Sequence, residues 1–261
     1  MRTTAAVAGA ALTTGLGAGL TGCDDSSPPP LPSDLPAYED SPASAGSAPA
    51  SLFTHGVASG DPSADSVRLW TRLTPSDAPA SVPVFYEVAR DPEFQRRVAA
   101  DTVMASAERD YCVHVDVSAL VWGRTYYYRF QAGGRTSLVG RTRLAPAGDA
   151  ARLTFGVVAC SNLARGWFHA YEHLAGRDDL DAVLHMGDFI YESPSSVDMP
   201  RAHEPAHELV TLSDYRTRHA QYRRDPDLQS NLASCPWVMT WDDHEVVNDY
   251  GGLETPGGLL A

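Results

Sequence analysis

The chain has 261 residues, an apolar fraction of 43% and a formal charge of −13 at neutral pH. Length and apolar content allow one large or two ordinary domains with real cores. The acidic balance excludes a general grip on nucleic acid, which needs a basic footprint, but it leaves open a small anionic substrate, because bound cations invert the local field. All 20 basic residues are arginine, a coding bias that also favours bidentate contacts to oxyanions.

Residues 1–22 place Arg2 before a small-residue apolar stretch, 5–20, which ends in Leu20-Thr21-Gly22-Cys23. A basic start, a short apolar run and a small-residue cleavage site read as an export signal, too short and weak for a spanning helix. Leu-Thr-Gly-Cys resembles the bacterial lipoprotein box, which makes Cys23 a lipid-attachment site and the only expected contact with a membrane. Residues 23–50, rich in Pro, Ser, Ala and Asp, cannot bury enough apolar surface to order and read as a disordered tether. No disulfide is expected. Cys112 alternates with Val113 and Val115 in a strand pattern, and Cys235 before Pro236 reads as packing.

Residues 51–148 alternate apolar and polar positions over 67–73, 84–88, 111–115 and 124–130, with Gly, Pro, Asp and Ser clusters between. That texture predicts an immunoglobulin- or fibronectin-like β-sandwich. His55 and Asp61 read as structural, since Gly60-Asp61-Pro62 is a turn signature, and Tyr126–Tyr128 as sandwich core.

Residues 152–250 change period. Apolar runs at 153–159, 182–186 and 237–241 suit strands of a parallel sheet covered on both faces, and 164–175 predicts a crossover helix. Each run ends in chemistry. The first delivers Cys160, Ser161 and Asn162; the second Gly187, Asp188 and Tyr191; the third Asp242, Asp243, His244 and Glu245. Carboxyl ends of parallel strands face the ligand crevice, so a thiolate, a phenolate, carboxylates and an imidazole are expected to converge on a metal. A further helix is expected from Ser213 as N-cap to Arg223-Arg224, with Leu212, Tyr215, His219 and Tyr222 on one face. Residues 193–208 carry His203 and His207, but Pro200 and Pro205 argue against a helical zinc pair, and the segment reads as a flexible lid.

Cys160-Ser161, Gly187-Asp188-Phe189-Ile190-Tyr191-Glu192 and Trp241-Asp242-Asp243-His244-Glu245, in this order, resemble the PhoD-type alkaline phosphatases, a branch of the calcineurin-like metallophosphoesterases. The resemblance covers about residues 51–250. It implies a mixed β and α/β fold: an N-terminal fibronectin/Ig-like sandwich over 51–148, then, over 152–250, the first half of a metallophosphoesterase αββα sandwich. It further implies Fe3+ held by Cys160, Asp188 and Tyr191, with Ca2+ on Asp188 and Asp243, and Asp242, Asn162 and Asn248 as further candidates. Hydrolysis of phosphate mono- or diesters by metal-activated hydroxide follows, with His244 assisting at a phosphoryl or leaving-group oxygen. Only one arginine precedes the apolar stretch, whereas the family typically uses twin-arginine export.

The family's fold continues with a second half bearing more ligands, so a C-terminally truncated chain is expected, with residues 251–261 a disordered tail. Two readings result: an exported, monomeric phosphoesterase, or a surface-tethered β-sandwich binding protein carrying a weak or inactive remnant. A nuclease is disfavoured by the charge of −13.

Overall fold

The structure, a computed structural model, describes residues 52–251. Cys23, the export signal and the tether lie outside the described residues, as does the tail beyond Gly251. No helix among the described residues is long and apolar enough to cross a membrane.

Eight strands come first: β1 (Val57–Gly60), β2 (Val67–Arg72), β3 (Ser81–Ala89), β4 (Arg97–Ser106), β5 (Cys112–Val117), β6 (Tyr126–Ala132), β7 (Arg135–Thr136) and β8 (Gly140–Thr142). Then follow β9 (Phe155–Val158), α1 (His169–Ala175), β10 (Ala182–His185), α2 (Leu212–Arg223), α3 (Pro226–Ser234) and β11 (Trp237–Met239). The strands form two sheets. One runs β4-β3-β6-β7 with β8 also on β6, all antiparallel. The other runs β5-β2-β1-β11-β10-β9, antiparallel through β1 and parallel from β1 to β9.

The two segments expected as successive units therefore share a sheet: Gly60 of β1 pairs with Trp237 of β11. The alternation of β1 explains how one strand serves both. Val57 lies in a core with Leu69, Val115, Val88, Tyr128 and Phe130, where the two sheets face each other. Its neighbour Ala58 lies in a second core with Val183, Trp237, Tyr171, Tyr222, Leu228 and Leu232, where the parallel strands meet the helices. Successive strand residues point to opposite faces. Outside the β1–β11 pairing, Arg141 bonds Asp178 at 2.7 Å and the Ser234 carbonyl at 2.8 Å, and Arg143 bonds Asp181.

Several local expectations change. The crossover helix over 164–175 is a short 3-10 turn, Leu163–Arg165, followed by α1 alone. The cap of α2 is Thr211, not Ser213: its Oγ1 accepts the Asp214 N–H, and Asp214 returns the bond to the Thr211 N–H, a reciprocal capping box. Leu212 of the expected apolar face is exposed, and the buried face is Arg218, Gln221 and Tyr222. The reason is what α2 packs against. Residues 193–208 are irregular backbone whose carbonyls need donors. Arg218 supplies them, bonding the carbonyls of Tyr191, Ser193, Glu204 and Pro205, while Gln221 Nε2 donates to Ala202 O at 2.6 Å. His203 is buried between Ser193 O and the Tyr222 hydroxyl, whereas His207 is exposed beside Asp214. The segment read as a flexible lid is stapled down, and the two histidines do not pair.

Candidate metal centre

β9, β10 and β11 lie side by side and parallel, so their ends open on one edge. After β9 the chain turns through Cys160 at φ 56°, and after β10 through Gly187 at φ 107° and Asp188 at φ 55°. Left-handed backbone at residues other than glycine is uncommon and gathers where a site demands it. The two turns are laced together: Cys160 N–H donates to Gly187 O at 3.1 Å and Ser161 N–H to Asp188 O at 2.8 Å. The third strand end closes on them. A Cβ at Gly187 would lie 2.4 Å from Asp242 Cβ, so only glycine lets Asp242 approach. Glu245 locks that approach, accepting N–H bonds from Asp188 at 3.1 Å, from Asp242 at 2.8 Å and from Phe189.

Of the expected site residues, Asp188, Tyr191, Asp243 and His244 converge, while Cys160 stands exposed at the edge of the cluster. Asp188, Asp243 and His244 offer donor atoms within 4.8 Å of one another. The Tyr191 hydroxyl donates to Asp188 Oδ2 at 3.1 Å, and its ring lies 4.2 Å, centroid to centroid, from that of His244. Burial together with the Asp188 charge raises the Cys160 thiol pKa, against the lowering influence of the neighbouring Tyr191 hydroxyl. Burial, then Asp188, then Cys160 drive the Tyr191 phenol upward. Asp243 is lowered by the Asp249 N–H bond, and His244 rises because Glu192, Asp188 and Asp243 outweigh its burial.

The second-tier candidates make local bonds. Asn162 Oδ1 caps the 3-10 turn by accepting from Ala164 N–H at 3.1 Å. Asn248 donates its side-chain amide to Asp249, outward, at 2.8 Å. Asp242 contributes its backbone to the Glu245 lock.

Three groups were given no role from sequence. Buried Glu192 accepts from His244 Nδ1 at 2.8 Å and from Asn248 N–H at 2.8 Å. Glu245 is the lock just described. His185, buried in β10, accepts from Gly187 N–H at Nδ1, so its Nε2–H faces Ser161 Oγ at 3.0 Å, and burial first of all lowers its pKa to about 4. Both glutamates stand inside the motif segments, and His185 interrupts an apolar run; those are the only signals the sequence carries for them.

Beside the centre a cleft of about 520 Å³ is lined by Cys160, Ser161, Asn162, Arg165, Trp167 and Tyr171. The larger cleft, about 770 Å³, holds none of the site residues and lies against Trp122, Leu153, Phe155, Leu184 and Val238.

Residues 155–256, which contain all three strand-end motifs, match the family model of the PhoD-like phosphatases, and residues 39–146 match the model of that family's N-terminal domain. Over both stretches the chain belongs to the PhoD-like phosphatase family. Alkaline phosphatase D of Bacillus subtilis (strain 168) is 45% identical over 211 residues, which are 76% of this chain and 36% of that protein. The solved structure of PhoD matches with a TM-score of 0.72 at 44% identity, covering 78% of this chain and 42% of that one. The chain thus spans less than half the length of these PhoD relatives.

The donor set fits a cation. Asp188 is buried, its Oδ2 takes the Tyr191 hydroxyl, and its Oδ1 has no hydrogen-bond partner among the described residues. A buried carboxylate oxygen left bare is costly unless a positive charge meets it.

Proposed function

We propose that this PhoD-like chain is an exported, metal-dependent phosphoesterase that hydrolyses phosphate mono- or diesters to recover phosphate outside the cytoplasm. The single observation carrying this reading is the unpartnered Oδ1 of buried Asp188, with donor atoms of Asp243 and His244 close by and the Tyr191 hydroxyl on its other oxygen. Cys160, Asp188 and Tyr191 would hold Fe3+, since thiolate and phenolate are anionic donors suited to a highly charged ion. Asp188 and Asp243, with Asp242, Asn162 and Asn248 in reserve, would hold Ca2+, which takes oxygen donors. Once bound, such cations supply Lewis acidity toward phosphoryl oxygens and a nucleophile drawn from water.

The chain's own residues prepare the rest. Glu192 engages His244 at Nδ1, which reserves Nε2 for a phosphoryl oxygen or for protonating the leaving alkoxide. Glu245 holds the Asp188 turn against Asp242, so the carboxylate does not reorganise as substrate arrives. In this reading Cys23 carries the lipid anchor, residues 24–50 the tether, and a monomer works at the cell surface.

A second reading is a tethered binding protein with a non-catalytic phosphatase remnant. It is favoured by one feature: the sheet face away from the helices is bare beside the site, with Phe155 45%, Val157 65% and Val238 42% exposed. Hydrolysis of a chromogenic phosphate monoester and diester by the full chain, loaded with iron and calcium, separates the two. Metal-dependent turnover that disappears in Asp188→Ala supports the enzyme; equal background rates in both proteins support the remnant.

A further inference from the structure

A second cluster of metal-ligating side chains lies on the helical side, outside the strand-end centre. His169 opens α1, Glu172 follows one turn later, and Asp227 stands in the first turn of α3. Their donor atoms lie within 4.8 Å of one another. His169 Nδ1 is 3.1 Å from Asp227 Oδ2 and 3.8 Å from Glu172 Oε2. Two donors bonded to one tetrahedral Zn2+ at about 2.0–2.1 Å stand about 3.3 Å apart. The two spans bracket that edge.

A hydrogen bond alone leaves the arrangement incomplete. Nδ1 carries at most one hydrogen, which satisfies Asp227; 3.8 Å is beyond hydrogen-bond length, so Glu172 is brought to the same nitrogen at ion-pair distance without a hydrogen bond there. A divalent cation on Nδ1 would meet both carboxylates at once. The imidazole selects the ion: Ca2+ and Mg2+ take oxygen ligands, while Zn2+ accepts nitrogen with carboxylate. His169 and Glu172 are 74% and 69% exposed at the side chain and Asp227 22%, so an ion can enter from solvent and keep water as a fourth ligand.

The geometry points to a surface Zn2+ site built from His169, Glu172 and Asp227 that clamps α1 to α3. Its position gives it a structural consequence. α1 follows the loop bearing Cys160 and Asn162, and α3 leads into β11 and Asp243. A tie between the two helices braces the supports of two of the three strand ends.

The test separates this site from the strand-end centre by working in the Asp188→Ala chain. Zn2+ is titrated calorimetrically into that protein, into Asp188→Ala with His169→Ala, and into Asp188→Ala with Asp227→Asn. One equivalent should bind the first and bind at least about tenfold more weakly in the other two. In the otherwise unaltered chain, Co2+ should give a tetrahedral d–d spectrum that loses one component in His169→Ala. Equal affinity and stoichiometry in all three titrated proteins, or a Co2+ spectrum indifferent to His169→Ala, overturns the proposal. Because His169 lies on the surface and Asp227→Asn keeps the size and shape of the side chain, both substitutions leave the fold in place, and the outcome does not depend on phosphatase activity.

Discussion

His244 donates from Nδ1 to Glu192 Oε2 at 2.8 Å, and the other oxygen of Glu192 accepts the Asn248 N–H at the same distance. One buried carboxylate therefore sets both the azimuth of the imidazole and the course of the loop behind it. Partners behind a functional histidine commonly fix its tautomer and orientation.

Replacing Glu192 with Ala should lower kcat/KM for a chromogenic phosphate ester roughly 10- to 100-fold while bound metal per chain stays unchanged. The double variant with His244→Ala should be no slower than His244→Ala alone, because the two act as a unit. Additive losses in steady-state kinetics would show that Glu192 acts elsewhere.

Gly187→Ala puts a methyl group where Asp242 stands and holds alanine at φ 107°. A loss of about 2–4 kcal/mol in urea unfolding is expected from the strain and the displaced strand end. Gly148→Ala is the control: its added carbon meets nothing within 4 Å, and stability should hardly change.

Arg218→Met removes the donors that gather four loop carbonyls. Buried bonds to a charged donor are each worth about 1.5–3 kcal/mol, partly recovered when the loop reaches water. Limited proteolysis should cut within 193–208 in the variant well before the wild type, and an unchanged digestion pattern would refute the staple.

At the start of α2, Thr211→Ala should cost about 1 kcal/mol by thermal or urea unfolding. Ser213→Ala, at an exposed position within the helix, should stay within about 0.5 kcal/mol. The reverse order would move the cap back to Ser213.

His219 is driven to about 4, first by burial and then by Arg223, and His55 to about 4 by burial and then Arg72. Both are neutral in the fold and bind a proton more readily once unfolded. The unfolded state then holds more protons between about pH 6.5 and pH 4, so stability falls as pH drops through that window and levels off below it. His219 alone accounts for at most about 3–4 kcal/mol of that loss. Melting temperatures of metal-free protein from pH 7 to pH 4.5 should show the fall, with a shallower slope in His219→Gln.

The sequence by itself determined whatever is written in consecutive residues. The alternation of 67–73 and 124–130 announces strands, and three apolar runs ending in Cys160, Asp188 and Asp243-His244 announce a cation site. Such patterns are visible because side-chain period and strand ends are local properties. β4 escaped notice: it is an edge strand with one buried residue, Ala105, and so carries almost no alternation.

What only the tertiary structure decided depends on contacts distant in sequence. Gly60 meeting Trp237 merges two expected units into one sheet, and no local pattern encodes that pairing. The inner face of α2 misled the pattern for a related reason. Apolar periodicity assumes an apolar neighbour, whereas Arg218 and Gln221 face irregular backbone whose carbonyls demand donors. Glu192 and Glu245 are plain surface-type residues until the fold carries Glu192 to His244, 52 positions away, and Glu245 to Asp188, 57 positions away. Burial then makes each carboxylate find a partner, and that requirement, which arises only on folding, turns a list of ligands into a site.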